Sequence, residues 1–245
     1  MISVRFKREQ PCGMPYSSKR VGRRFTAFTL VELLTVISII ALLVSILMPA
    51  LNKSREAAKT IVCQSQLKQI FYATNLYCID HQDALPRSFH SAIANRQMPW
   101  GYALMPYIVG MTYKGPSDDW DNLYNGLYRC PQDKRTIKWS YGKNVWPELG
   151  KQKKQKNTIT PRTPSAYILF GELTSVQPET PTSTMGSDHI MAFQWLPPFL
   201  SQPEIALNRH GLAENYVYFD GHTKALPFRK TFDTGTSLDF WKTIY

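Results

Sequence analysis

From Leu33 to Leu51 the chain runs nineteen residues without a charged side chain, and a single acid, Glu32, stands at the entrance to that run. About 20 apolar residues, rising roughly 1.5 Å each as a helix, cross the ~30 Å hydrocarbon core of a bilayer. The segment therefore reads as a membrane-length helix. A carboxylate at its mouth is expensive, at about 2.5–3.5 kcal/mol near a helix centre and less toward the end. A chain that keeps an acid there has a use for it.

The block Phe28-Thr29-Leu30-Val31-Glu32 before the apolar run resembles the processing site of type IV prepilins and type II secretion pseudopilins. In that family a leader is cut before a Phe, and a Glu is the fifth residue of the mature chain. The resemblance implies cleavage between Ala27 and Phe28 by a prepilin peptidase, which then methylates the new Phe28 amine, with Glu32 as the family's acid. Thr29, Leu30 and Val31 complete the signal. The family usually has Gly before the cut, so Ala27 is a departure, and it implies slower processing. Met14 is a second candidate start, giving a shorter leader that lacks Cys12.

The charge distribution agrees with this orientation. Residues 1–27 carry seven basic residues and one acid, or +6 of the total +11, leaving 22 basic and 17 acidic residues, or +5, from Phe28 onward. A basic leader stays in the cytoplasm by the positive-inside bias. The high pI then loses its force as a sign of nucleic-acid binding, because the remaining excess is scattered apart from Lys151–Lys156, read as a solvated loop. A secretory signal peptide fits poorly: the apolar run is too long, an acid enters it, and no small-x-small site closes it.

The expected organisation is a leader over 1–27, a transmembrane and assembly helix over 28–52, an amphipathic continuation over 53–83 and an exported domain over 84–245. Pro49 lies within the helix and is expected to kink it near the outer membrane face. Beyond it Cys63, Leu67, Ile70, Phe71, Thr74, Tyr77 and Cys78 recur at steps of three and four, forming one face for packing. Gln64, Lys68 and Gln69 point outward. Cys63-Gln-Ser-Gln-Leu-Lys-Gln-Ile70 is similar to a phrase of pilin-like families. Later segments are short and punctuated by Pro and Gly, with strands expected at Tyr167–Phe170 and Ile190–Trp195 and a short helix at Trp100–Val109. The expected fold class is α+β, a long N-terminal helix packed on a small antiparallel sheet with long loops, and the resemblance implies that it is pilin-like.

Near the C-terminus, Tyr216–Phe219 and His222–Leu226 flank Asp220-Gly221, a strong signal for a hairpin with a two-residue type I′ turn. His210, nine residues, then Asp220-Gly221 resembles the H-x9-D-G motif that ends many prepilin-type proteins. Cys130-Pro131 and Ser140–Asn144 are also similar to that group.

The resemblance implies a mechanism. Glu32 of one subunit pairs with the Phe28 amine of a neighbour, offsetting the desolvation of both and fixing register in a filament. Ser38, Ala41 and Ser45 form a small-residue stripe suited to helix association. Partners would be the peptidase, other pilin or pseudopilin subunits and a secretion or pilus assembly platform. The location would be the bacterial inner membrane, single-pass, with the C-terminal domain periplasmic.

The implied cleavage removes Cys12 and leaves Cys63, Cys78 and Cys130; Cys63 and Cys78 are about 22 Å apart along one helix, so any disulfide must use Cys130, with Cys63 the preferred partner. An exported domain permits the bridge. No C-x-x-C zinc pair, nucleophile elbow or P-loop is present, and neither an enzyme nor a cofactor is expected. Weak metal candidates are Asp118, Asp119 and Asp121 as an acidic calcium loop, and His210, Asp220 and His222 across the hairpin. The alternative to a filament subunit is a membrane-anchored binding domain, for glycans through its many aromatics, or an enzymatic domain.

Overall fold

A computed structural model describes residues 29–115, 117–135, 139–148, 161–174, 188–197, 204–207 and 209–242. Ala27, Phe28 and the Lys151–Lys156 run lie outside the described residues. The chain divides into two compact units, the first ending at Pro49 and the second running from Ala50 to Tyr245.

One helix, α1, covers Leu30–Asp80 and contains Pro49 without ending there. In its first unit every large apolar side chain from Leu30 to Met48 is exposed, from 43% at Val44 to 80% at Leu30. This is a helix long and apolar enough to cross a membrane. Its hydroxyls bond back to the helix's own carbonyls: Thr35 to Glu32, Ser38 to Leu34 and Ser45 to Leu42. Such back-bonding leaves no hydroxyl unsatisfied in an apolar surrounding.

In the second unit the face expected from the three-four spacing is buried at Cys63, Leu67, Ile70, Phe71, Thr74, Tyr77 and Cys78, joined by Ala73. Lys68 and Gln69 are exposed, while Gln64 is half-buried. Burying a Leu, Ile or Phe contributes about 1.5–3 kcal/mol, so this stripe is what holds the helix to the domain.

The sheet it packs on has five strands: β1 (Tyr141–Asn144), β2 (Ile168–Glu172), β3 (His189–Ile190), β4 (Glu214–Tyr218) and β5 (Thr223–Leu226), in the order β3-β1-β2-β4-β5. It is mixed rather than antiparallel, because β3 runs parallel to β1. The chain between β1 and β3 contains β2, so β3 returns to the far edge by a long connection, which short-range patterning does not encode. The expected strand over Ile190–Trp195 stops at Ile190, and Ala192–Trp195 form a 3-10 turn. A two-stranded ribbon, β6 (Phe232–Asp233) and β7 (Leu238–Asp239), follows.

Among the described residues, four short helices stand between α1 and β1: α2 (Phe89–Ala94), α3 (Trp100–Ala103), α4 (Met105–Val109) and α5 (Asp118–Asn125). The expected helix at 100–109 is thus two, broken at Leu104. The aromatics go chiefly into the core. Trp100 contacts Tyr128, Trp139 and Phe170, and Trp195 contacts Phe228, Phe232 and Trp241. The Trp100 indole N–H donates to the Asp188 carbonyl at 2.6 Å, so its polar atom is satisfied on burial.

The β4–β5 hairpin forms where expected, with a different turn. Gly221 N–H bonds to the Tyr218 carbonyl and Tyr218 N–H to the His222 carbonyl. The loop is Phe219-Asp220-Gly221, and only Gly221 has positive φ, at 86°. Asp-Gly serves a three-residue bulged loop as well as a type I′ turn, so the dipeptide located the hairpin without fixing its turn.

Candidate functional site

The membrane helix begins with a reciprocal cap. Glu32 Oε2 accepts from the Thr29 backbone N–H and hydroxyl, each at 2.9 Å, while Glu32 N–H donates to Thr29 Oγ1 at 3.2 Å. Thr29-Leu-Val-Glu32 is therefore a capping box, in which two otherwise orphaned N–H groups are satisfied. The T-x-x-E spacing carried this signal, although the reading of Glu32 as an intermolecular partner passed over it. Thr29 is the N-cap, and Leu30 and Val31 occupy the first turn.

His210 stands in a different and fully enclosed setting. Tyr141 on β1 and Glu172 on β2 are register partners, so their side chains share a sheet face. Tyr141 donates to Gln66 Oε1 of α1 at 2.6 Å, which identifies this face as the one under the helix. There Cys63 of α1 meets Cys130 from the loop after α5, with sulfurs 2.7 Å apart and both thiols free. His210 Nε2 lies 2.8 Å from Glu172 Oε1 and 3.4 Å from Cys130 Sγ. The other ring nitrogen, Nδ1, is 3.1 Å from Thr60 Oγ1. Glu172 Oε2 accepts the Asn215 N–H at 2.9 Å. The ligand-type atoms of Cys63, Cys130, Glu172 and His210 all lie within 4.8 Å of one another, and the Glu172 and His210 side chains have no exposed surface.

These contacts set the protonation states. The hydrogen bond from Cys63 holds the Cys130 thiol below its ordinary range against the effect of burial, with His210 assisting, while Cys63 is pushed up as the donor. Burial alone would lower the His210 imidazolium; Cys130 and Glu172 outweigh it and raise it to about 9. Cys78 lies outside the group, and burial pushes its thiol up to about 12.

An ionic network seats the His210 loop. Asp133 accepts from Arg135 Nη2 at 2.6 Å and Ser140 Oγ at 2.7 Å, with Arg209 Nη2 at 3.3 Å. Arg209 also donates to the Leu173 carbonyl, next to Glu172.

The remaining candidates do not join this group. Asp220 and His222 meet each other at the hairpin, 2.6 Å apart and partly exposed, whereas His210 is engaged by Glu172, Cys130 and Thr60. Asp118, Asp119 and Asp121 are in helix α5, not a loop; Asp121 is exposed, and the side chains of Asp118 and Asp119 lie outside the described set. An acid-rich first helical turn is favoured by the helix dipole, which accounts for the polar residues that suggested a loop. Glu172 was missed because one acid in an apolar strand has no diagnostic spacing.

Chemically, the enclosed cluster offers two soft sulfurs, an imidazole and a carboxylate. Such a set can close a disulfide or ligate a metal. Comparison with known protein families, with characterised proteins and with solved structures gives no match for this chain.

Proposed function

We propose that the chain is a structural subunit of a type IV pilus-like or type II secretion pseudopilus filament, processed before Phe28 and tethered by α1 until assembly. The observation that carries this reading is the apolar helix entered by Glu32, whose exposed side chains need lipid or other helices around them. The domain on its distal part is compatible with a pilin-like head, and the hairpin of the H-x9-D-G phrase packs against that helix. The leader would be cytoplasmic and the domain periplasmic.

Co-expression with a prepilin peptidase tests the reading. A mature N-terminus at Phe28, blocked by Ala27→Leu, supports it. An uncleaved chain, or an N-terminus elsewhere, removes its basis.

A second reading, a tethered binding domain that does not polymerise, is favoured by an open cleft of about 280 Å³ lined by Tyr77, His81, Tyr102, Tyr107 and Tyr113 among others. Aromatic faces with polar tips suit sugar rings. Glycan binding by a chain that stays monomeric in membranes after crosslinking would select this reading.

A further inference from the structure

We propose that Cys63, Cys130, Glu172 and His210 form a structural zinc site that fastens helix α1 to the sheet. The four ligands come from four separate segments: α1, the loop after α5, strand β2 and the loop before β4. Two thiolates, an imidazole nitrogen and a carboxylate oxygen fill the four positions of a closed tetrahedral site, and this mixture of soft and borderline donors suits Zn²⁺. Neither the sequence motifs nor a cysteine pair at short spacing announces it.

Two further observations point the same way. The His210 ring is oriented by Thr60 at Nδ1, leaving Nε2 toward the sulfurs and the carboxylate. Glu172 is likewise fixed by the Asn215 N–H. Such outer partners characterise ligands held ready for a metal.

Bound zinc requires both cysteines as thiolates, His210 neutral and Glu172 ionised, so the protons that the two sulfurs and the His210 Nε2 carry in the empty site leave as Zn²⁺ enters. Zinc–sulfur bonds of about 2.3 Å in a tetrahedron separate the sulfurs by about 3.8 Å. Cys63 and Cys130 must therefore part by about 1 Å, a rotamer-scale adjustment. A disulfide would engage the two sulfurs alone, whereas the ion draws on all four side chains. The site does not depend on filament assembly.

The full chain, purified from membranes in detergent without chelators, should contain about one zinc per chain by elemental mass spectrometry, with Cys63 and Cys130 unlinked in peptide maps. Replacing zinc with Co²⁺ should give a thiolate-to-cobalt charge-transfer band. Thr60→Val, which leaves all four ligands in place, should weaken zinc binding about 10–100-fold, and Cys78→Ser should leave it unchanged. A Cys63–Cys130 disulfide in the isolated chain would overturn the proposal, as would a metal-free chain whose Co²⁺ complex lacks the thiolate band.

Discussion

Gly221 abuts the ring of Phe71: a Cβ added at position 221 would stand 2.9 Å from Phe71 Cζ and closer still to Cδ1 and Cε1. The hairpin loop therefore rests on helix α1 through a residue that must lack a side chain. The same residue has φ of 86°, which an L side chain rarely adopts. Gly221 is required twice over, by its turn and by its neighbour.

Gly221→Ala should accordingly cost about 2–4 kcal/mol, combining backbone strain with overpacking. Denaturant unfolding of the full chain measures it. Adding Phe71→Leu should recover part of the loss, because the two sites are in contact and their effects are coupled. Strict additivity would mean that the ring is not what the new methyl meets.

Lys143 and Glu148 form an ion pair with both side chains essentially sealed from solvent, and Glu148 also accepts the N–H and hydroxyl of Ser88. Removing one charge strands the other. Lys143→Met should destabilise by about 3–5 kcal/mol, and Lys143→Met with Glu148→Leu should be markedly less harmful than the single change. Thermal unfolding of the two variants distinguishes these cases.

Asp133 gives the stability a defined acid dependence. Burial would raise its carboxyl, but the Arg135 side chain, the Arg209 charge, Ser140 and the Arg135 N–H overcome that and hold it down to about 2 from 3.8. A depressed folded-state pKa means the stabilisation is fully present above about 3.8 and is lost as pH falls through about 2. It amounts to roughly 2 kcal/mol. Unfolding free energies measured down that range should fall more steeply for the wild type than for Asp133→Asn.

The parts of this molecule that were legible in its sequence are those written in local period. The absence of charge from Leu33 to Leu51 marks the apolar helix, and the three-four spacing from Cys63 to Cys78 marks the face that it buries. Asp220-Gly221 marks the hairpin. What escaped depends on distant residues or on ambiguous chemistry. The parallel pairing of β3 with β1 needs the long return after β2. The acid-rich start of α5 resembles a loop until Leu123 is seen to be buried. His210 was singled out by its motif, yet its partners Glu172 and Thr60 are linked to it only through the folded sheet and helix.

The capping box complicates the simplest test of Glu32, since Glu32→Ala removes both a helix cap and a charge. Glu32→Gln keeps the oxygen that accepts from Thr29 and removes only the charge. Thr29→Ala does the converse, costing about 1 kcal/mol of capping while the carboxylate remains. The two substitutions therefore separate a local role in the helix from an intermolecular one.

Incorporation into sheared filaments, with wild type, Glu32→Gln and Thr29→Ala each expressed beside a prepilin peptidase and an assembly platform, tests the filament account most directly. The account predicts that all three are cleaved and inserted in the membrane, that wild type and Thr29→Ala enter the filament fraction, and that Glu32→Gln is largely excluded. Equal incorporation of Glu32→Gln and wild type, or absence of the wild type from that fraction, would contradict it.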